Sequence, residues 1–145
     1  MLFGPWAMAD FLTTTERSER MSKVRGTGNK TTELRLMRIL KAHRINGWRR
    51  GSKLVGRPDF VFPVERIAIF VDGCFWHGCP THGHVPASNA HFWREKIIRN
   101  RRRDRKVTRI LKSKAWRVLR IWEHELAKKR EAKLIKKVRR FWARR

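Results

Sequence analysis

Residues 56–79 read GRPDFVFPVERIAIFVDGCFWHGC, and the order of apolar and chain-breaking residues within them sets the architecture. Pro58 fixes the backbone just ahead of an apolar run, Asp59 to Phe62, and a link containing Pro63 separates that run from a second, Ile67 to Val71. Both runs are short and rich in β-branched or aromatic residues, which predicts two neighbouring antiparallel strands. Residues 72–88 then carry Gly, Pro, Cys and His without any period. An irregular loop is expected there, too polar to be held by apolar packing of its own.

Further out, Trp116 to Trp122 (WRVLRIW) alternates and predicts a third strand. Thr31 or Thr32 can cap a helix whose apolar positions Leu36, Met37 and Leu40 share one face, with Asn46-Gly47 as its stop. From Asn89, the apolar positions Phe92, Trp93, Ile97, Ile98, Val107, Ile110 and Leu111 predict a long helix. Arg99 to Arg105 lie on its exposed turns, and Lys112 to Ala115 end it. Leu134, Val138, Phe141 and Trp142 mark a basic amphipathic helix within 127–145. Residues 1–30 show no sustained period and are expected to form a mobile arm, and Met8 is expected as the natural start because Met1 to Ala7 reads as an upstream extension. The order helix, strand, strand, long helix, strand, helix describes an α/β domain over 31–126, a mixed sheet packed against helices in two or three layers.

The 145 residues include 37 Lys and Arg against 12 Asp and Glu, a net charge of +25 spread along the chain. Such a charge calls for a polyanion, and nucleic acid is the leading partner. Seven Trp and eight Phe exclude a disordered basic tail. No apolar run approaches the roughly 20 residues of a membrane span, and Met1 to Ala9 lacks the basic start of a signal peptide. A soluble, cytoplasmic protein is expected, with no membrane partner.

Asp59 stands alone at the head of its strand, where two readings compete. It can be a turn aspartate bonded to a backbone amide, or an oxygen ligand for Mg²⁺, which often takes only one or two protein carboxylates. The second strand ends in Asp72-Gly73-Cys74-Phe75-Trp76-His77, so two adjacent strand ends converge on one spot. His77 near a cation there could take a proton from an attacking water, although five other histidines compete for a structural explanation. Cys74-x4-Cys79-x2-His82 supplies three ligands of the kind Zn²⁺ favours in a tetrahedral structural site. The fourth can come from His124 after the third strand, or locally from His77 or His84. Such an ion would order a loop that otherwise lacks a source of order. Phe75-Trp76 and Phe92-Trp93 place aromatic rings beside cationic residues, where they can stack on bases or wedge between them. A core position usually explains a Trp or Phe at helical spacing, but adjacent aromatics in a loop are harder to bury together.

Together, RSERMSKVRGTGNKTTELRL, GRPDFVF, VDGCFWHGCPTHG, NAHFWREKIIRNRRRDR and WRVLRIWEHEL closely resemble the very short patch repair (Vsr) DNA mismatch endonucleases, from about Asp10 to Leu126. The resemblance implies a fold of the PD-(D/E)xK restriction-endonuclease kind. It also implies a Mg²⁺-dependent nick of one strand beside the thymine of a T:G mismatch left by deamination of 5-methylcytosine. Asp59 falls on the family's Mg²⁺-binding aspartate and Val71 on a position whose carbonyl binds the same ion. His77 falls on the catalytic histidine, Asp104 on the acid that orients it, and Glu33 on a carboxylate that orders metal-bound water. The structural zinc ligands map to Cys74, Cys79, His82 and His124, leaving His77 for chemistry. Phe75, Trp76 and Trp93 match aromatics that enter the duplex, and Met21 in the arm matches a wedge from the other side. Asp72 departs from the pattern, since the best-known member has a catalytic histidine there. A carboxylate at that point could bind the metal directly, and no lysine stands in the usual place behind it.

The expected partner is double-stranded DNA, T:G mismatched, with a mismatch-repair protein as a candidate second partner. A monomer acting on the bacterial nucleoid is expected. Two rivals remain: a nickase of the same kind with a defence or methylated target, and a non-catalytic DNA-binding module that keeps the fold.

Overall fold

A computed structural model of the chain describes residues 32–144, so the expected arm and Met21 lie outside the described residues. The elements are α1 (Glu33–Ala42), β1 (Phe60–Phe62), β2 (Ile67–Asp72), α2 (Ala90–Ser113), β3 (Arg117–Trp122) and α3 (Glu131–Ala143). Two 3₁₀ turns, Glu123–Leu126 and Lys128–Arg130, precede α3. The sheet order is β1-β2-β3. β1 and β2 pair antiparallel, with Phe60 opposite Ile69, as the short Pro63 link requires. β2 and β3 run parallel, with Ile67 opposite Arg117 and Asp72 opposite Trp122. A parallel pair needs a crossover, and the long helix α2 supplies it.

Strand alternation divides the apolar residues between two cores. Phe60, Phe62, Ile67, Ile69, Leu119 and Ile121 face one side, where Leu36, Ile39 and Leu40 of α1 and Leu134, Ile135 and Val138 of α3 cover them. Val61, Ala68 and Phe70 face the other and pack on Val107 and Leu111 of α2. Three layers result. The segment set apart in the sequence as a basic helix thus contributes three buried side chains to the main core. Each Leu, Ile or Phe so buried stabilises the fold by roughly 1.5–3 kcal/mol. None of the helices among the described residues is long and apolar enough to cross a membrane.

One boundary departs from expectation. α1 ends at Ala42 rather than at Asn46-Gly47, because Arg44 takes a left-handed conformation, φ 56°. The Ile45 amide then bonds Leu40 O at 2.9 Å and the Arg44 amide bonds Lys41 O at 3.1 Å. These two bonds satisfy the last carbonyls, a closure that more often uses Gly. Burial of Ile45 in the main core offsets the strain of an arginine at positive φ.

Candidate active site and metal centre

The end of β2 is where chemistry-bearing side chains gather, and alternation explains which way they go. Val71 packs toward the α1 core, so Asp72 lies on the other side with Phe70 and, on β3, Arg120. β1 begins beside the end of β2 because the pair is antiparallel, which brings Asp59 alongside. The Asp59 amide donates to Ile69 O at 3.0 Å, and its Oδ2 accepts the Val71 amide at 2.8 Å. Burial raises the Asp59 carboxyl to about 6, with the charges of Glu33 and Asp72 adding to it and the Val71 amide and Arg50 opposing. A carboxylate crowded by other carboxylates is a position that a cation would relieve, and Asp59 with the adjacent Val71 backbone fits a Mg²⁺ ion that uses few protein ligands. Glu33 at the start of α1 is buried, and its Oε1 accepts Arg50 Nε at 2.8 Å and Nη2 at 2.6 Å. Glu33, Arg50, Arg57, Pro58 and Asp59 line one cleft.

A second cleft opens on the β3 side, lined among others by Asp72, His77, Asp104, Thr108 and Arg120. Asp104, Val107, Thr108 and Leu111 recur at helical spacing, which turns Asp104 toward the sheet. His77 Nδ1 lies 2.5 Å from Asp104 Oδ2. A hydrogen bond from Nδ1 commits the imidazole to the tautomer whose Nε2 can accept a proton. Burial pushes the Asp104 carboxyl up, but the His77 hydrogen bond and the charges of His77, Arg120 and Arg103 outweigh it and leave it lowered. Asp72 is buried, and its carboxyl is raised because desolvation exceeds the help from His77 and Arg120. Its two oxygens sit 2.9 and 3.1 Å from Arg120 Nη1.

The loop after β2 is built on one tight turn. The His77 amide bonds Gly73 O at 3.2 Å, the Gly78 amide bonds Phe75 O at 3.3 Å, and the Cys79 amide bonds Cys74 O at 2.8 Å. Gly78 closes the turn at φ +63°, where a Cβ would meet Ile97 Cγ2 at 2.8 Å, so glycine is required twice over. The turn radiates its side chains: Cys74 toward Cys79, Phe75 toward α2, His77 toward Asp104.

Cys74, Cys79, His82 and His124 bring their ligand atoms within 4.8 Å of one another. His124 Nδ1 is 3.3 Å from Cys74 Sγ and 3.6 Å from Cys79 Sγ, and His82 Nδ1 is 3.9 Å from Cys79 Sγ. Zinc–sulfur and zinc–nitrogen bonds of tetrahedral geometry give ligand-to-ligand edges of about 3.6 Å, so these residues fit Zn²⁺. Burial pushes the Cys74 thiol up to about 11. Around Cys79 burial is outweighed by hydrogen bonds from Thr81 and His82, which bring it down to about 6. The directions differ because burial dominates at Cys74 and hydrogen bonds dominate at Cys79, with the Cys79 charge adding to the rise at Cys74. A divalent cation removes that difference, since a coordinating thiol is deprotonated outright. Burial, with the charges of His82 and Arg130, lowers the pKa of His124 and keeps it the neutral ligand a metal needs. His84 is exposed and outside the cluster.

The expectation that adjacent loop aromatics are hard to bury together needs correction. Phe75 and Trp93 are buried, at 3% and 4% exposure, and Trp76 is half-buried. Their rings form one edge-to-face cluster, with centroids 5.2 Å apart for Phe75–Trp76, 5.4 Å for Phe75–Trp93 and 6.1 Å for Trp76–Trp93. Adjacent aromatics can share a core here because the tight turn sets their rings edge to face and α2 brings Trp93 against both. The loop therefore has apolar packing of its own. The exposed ring is Phe92, at 50%. Lys96 Nζ sits 5.0 Å from the Trp76 ring centroid.

Sequence reasoning missed Arg120, Arg50 and Asn100. Arg120 holds Asp72 and donates to the Asp104 carbonyl at 3.2 Å. Asn100 Nδ2 donates to Trp76 O at 3.0 Å and pins the turn to α2. The available signal for Arg120 was a charge in the middle of a mostly apolar strand, on the face shared with Val118.

Comparison with known proteins bears on what this arrangement serves. The sequence model of a family described as DNA mismatch endonuclease Vsr matches residues 9–82. Over 121 residues the chain is 39% identical to the DNA mismatch endonuclease Vsr of Escherichia coli (strain K12), 80% of this chain and 74% of that protein. The type II nicking enzyme V.NmeAIP of Neisseria meningitidis is 35% identical over 123 residues, covering 84% of this chain and 87% of the relative. The type II nicking enzyme V.NaeI of Lentzea aerocolonigenes is 49% identical over 77 residues, 53% of this chain, and the match spans 46% of that relative. With 80% of the chain aligned to the Escherichia coli enzyme, and with Asp59, His77, Cys74, Cys79 and His82 inside the family match, the chain belongs to the Vsr family of DNA endonucleases.

Proposed function

We propose that this endonuclease nicks one strand of duplex DNA beside the thymine of a T:G mismatch, with a PD-(D/E)xK-type core and a structural zinc. The observation that carries the catalytic part is the 2.5 Å contact between His77 Nδ1 and Asp104 Oδ2 beside the strand end shared with Asp59. Asp59 and the Val71 carbonyl would hold Mg²⁺, which supplies charge stabilisation at the scissile phosphate. Asp104 fixes the His77 tautomer, and Nε2 takes the proton of the attacking water. Glu33, fixed by Arg50, orders water at the Asp59 cleft. Cys74, Cys79, His82 and His124 hold the zinc and so keep His77 in register. T:G selectivity draws on the lower cost of opening a poorly stacked step to an inserted ring, for which Trp76 and Phe92 are the accessible candidates. Relatives named as nicking enzymes favour a second reading, in which the same machinery serves another DNA target.

Cleavage of end-labelled duplexes carrying T:G, matched and methylated sites, with and without Mg²⁺, tests both. A Mg²⁺-dependent nick confined to T:G duplexes is expected. Equal nicking of a matched or methylated site moves the protein to the second reading, and no nicking of any duplex returns the DNA-binding module.

A further inference from the structure

Asp72 and Asp104 both face one imidazole nitrogen. His77 Nδ1 is 2.5 Å from Asp104 Oδ2 and 3.8 Å from Asp72 Oδ1, so two carboxylates compete for a single N–H. Arg120 sits where it can settle the competition. One guanidinium nitrogen spans both oxygens of Asp72, at 2.9 and 3.1 Å, and reaches within 3.7 Å of Asp104 Oδ1. Another donates to the Asp104 backbone carbonyl at 3.2 Å, while Nε approaches Thr108 Oγ1 at 3.4 Å. The guanidinium lies over Phe70, 4.4 Å from the ring centroid, which fixes its plane. Few side chains other than arginine could make this set of contacts, because only a planar fork reaches β2 and α2 together.

We infer that Arg120 and Asp72 form a positioning pair, in which Arg120 occupies Asp72 so that His77 is bonded by Asp104 alone. Asp72 is then a partner of Arg120 rather than a ligand of the catalytic metal. A carboxylate whose two oxygens both lie against one guanidinium is a poor site for a second cation. The inference rests on the nickase reading, and it addresses how the imidazole is aimed rather than what is cut. Loss of Arg120 would leave a buried, unpaired carboxylate beside His77, and the ring would be shared between two acceptors.

The test is single-turnover nicking by the full chain at saturating Mg²⁺, on whichever duplex the parent cuts, with DNA affinity and the half-saturating Mg²⁺ concentration measured alongside. Arg120→Gln is expected to lower the rate by about 10- to 100-fold while both other quantities stay within about threefold. Adding Asp72→Asn to Arg120→Gln should recover at least about fivefold of that loss, because the competing charge is gone while the Asp104 bond remains. Should Arg120→Gln fail to fold, Arg120→Lys retains the charge without the fork and is expected to show a smaller fall in rate with the same two constants held. A raised Mg²⁺ requirement in Asp72→Asn would make Asp72 a metal ligand and overturn the inference. Weakened DNA binding with an unchanged rate in the Arg120 variants would make Arg120 a phosphate contact, and a double variant no better than Arg120→Gln would remove the competition. A parent that nicks none of the T:G, matched or methylated duplexes overturns the nickase reading and this inference together, whereas the other adverse outcomes overturn only the inference.

Discussion

Asp59 is a buried carboxyl set among other carboxyls, a conflict between its charge and its surroundings. Its carboxyl is raised from about 3.8 to about 6 by burial and by Glu33 and Asp72. The folded chain therefore holds this proton more tightly than the unfolded one, so the contribution of Asp59 to stability is fully present below about pH 4 and is lost as pH rises through about 6. Two pH units correspond to a loss of at most about 3 kcal/mol. Without added Mg²⁺, Asp59→Asn should melt above the parent at pH 7 and lose that advantage by pH 4, as thermal melts across the range would register. A constant gap would mean that the charge is not the cause. The same variant should nick slower by orders of magnitude yet keep its DNA affinity, because it removes only the negative charge facing the phosphate. Asp59 stood out in the sequence because it heads a strand, and His77, five residues past the end of β2, because it closes the Asp72-to-His77 run and matches a position that the family resemblance marks. Arg50 and Arg120 did not, since in a chain of 37 Lys and Arg a single arginine carries little information until its partner is known.

Among the elements, the turn after β2 and the head of α2 stabilise one another. Trp93→Ala should cost roughly 3–5 kcal/mol of folding free energy, the price of emptying a core position. Phe92→Ala, one residue earlier on the same helix, should leave the melting temperature nearly unchanged and weaken binding to mismatched duplex. Denaturant melts and a binding assay separate the two, and equal effects from both substitutions would dissolve the distinction between packed and exposed rings. The proposed zinc ligands would add a second anchor to the same turn. Metal analysis should find one zinc per chain, and Cys79→Ser or prolonged chelation should lower the melting temperature and abolish nicking together. Retention of both after complete zinc loss would make the aromatic cluster sufficient. The three strands and three described helices were readable from apolar periodicity and breakers, which act locally. The burial of Phe75 with Trp76 was not, because it depends on a turn closed at Gly78 and on a helix whose docking appears only in three dimensions.

At the scale of the molecule, charge and topology act together. With a net charge of +25, affinity for duplex DNA should fall by about 10³ to 10⁵ between 50 and 200 mM salt if six to ten phosphates are contacted. A flat salt response in a titration of labelled duplex would reject the electrostatic account. Removing residues 127–145 should unfold the chain rather than merely weaken DNA binding, because Leu134, Ile135 and Val138 are core side chains. The two clefts at the end of β2 share no lining residue: one opens beside β1 at Asp59, the other beside β3 at Arg120. A small molecule that fills one of them leaves the other open to solvent, so a single ligand that contacts both has to reach around the strand terminus, as a nucleotide mimic with an arm for each side could.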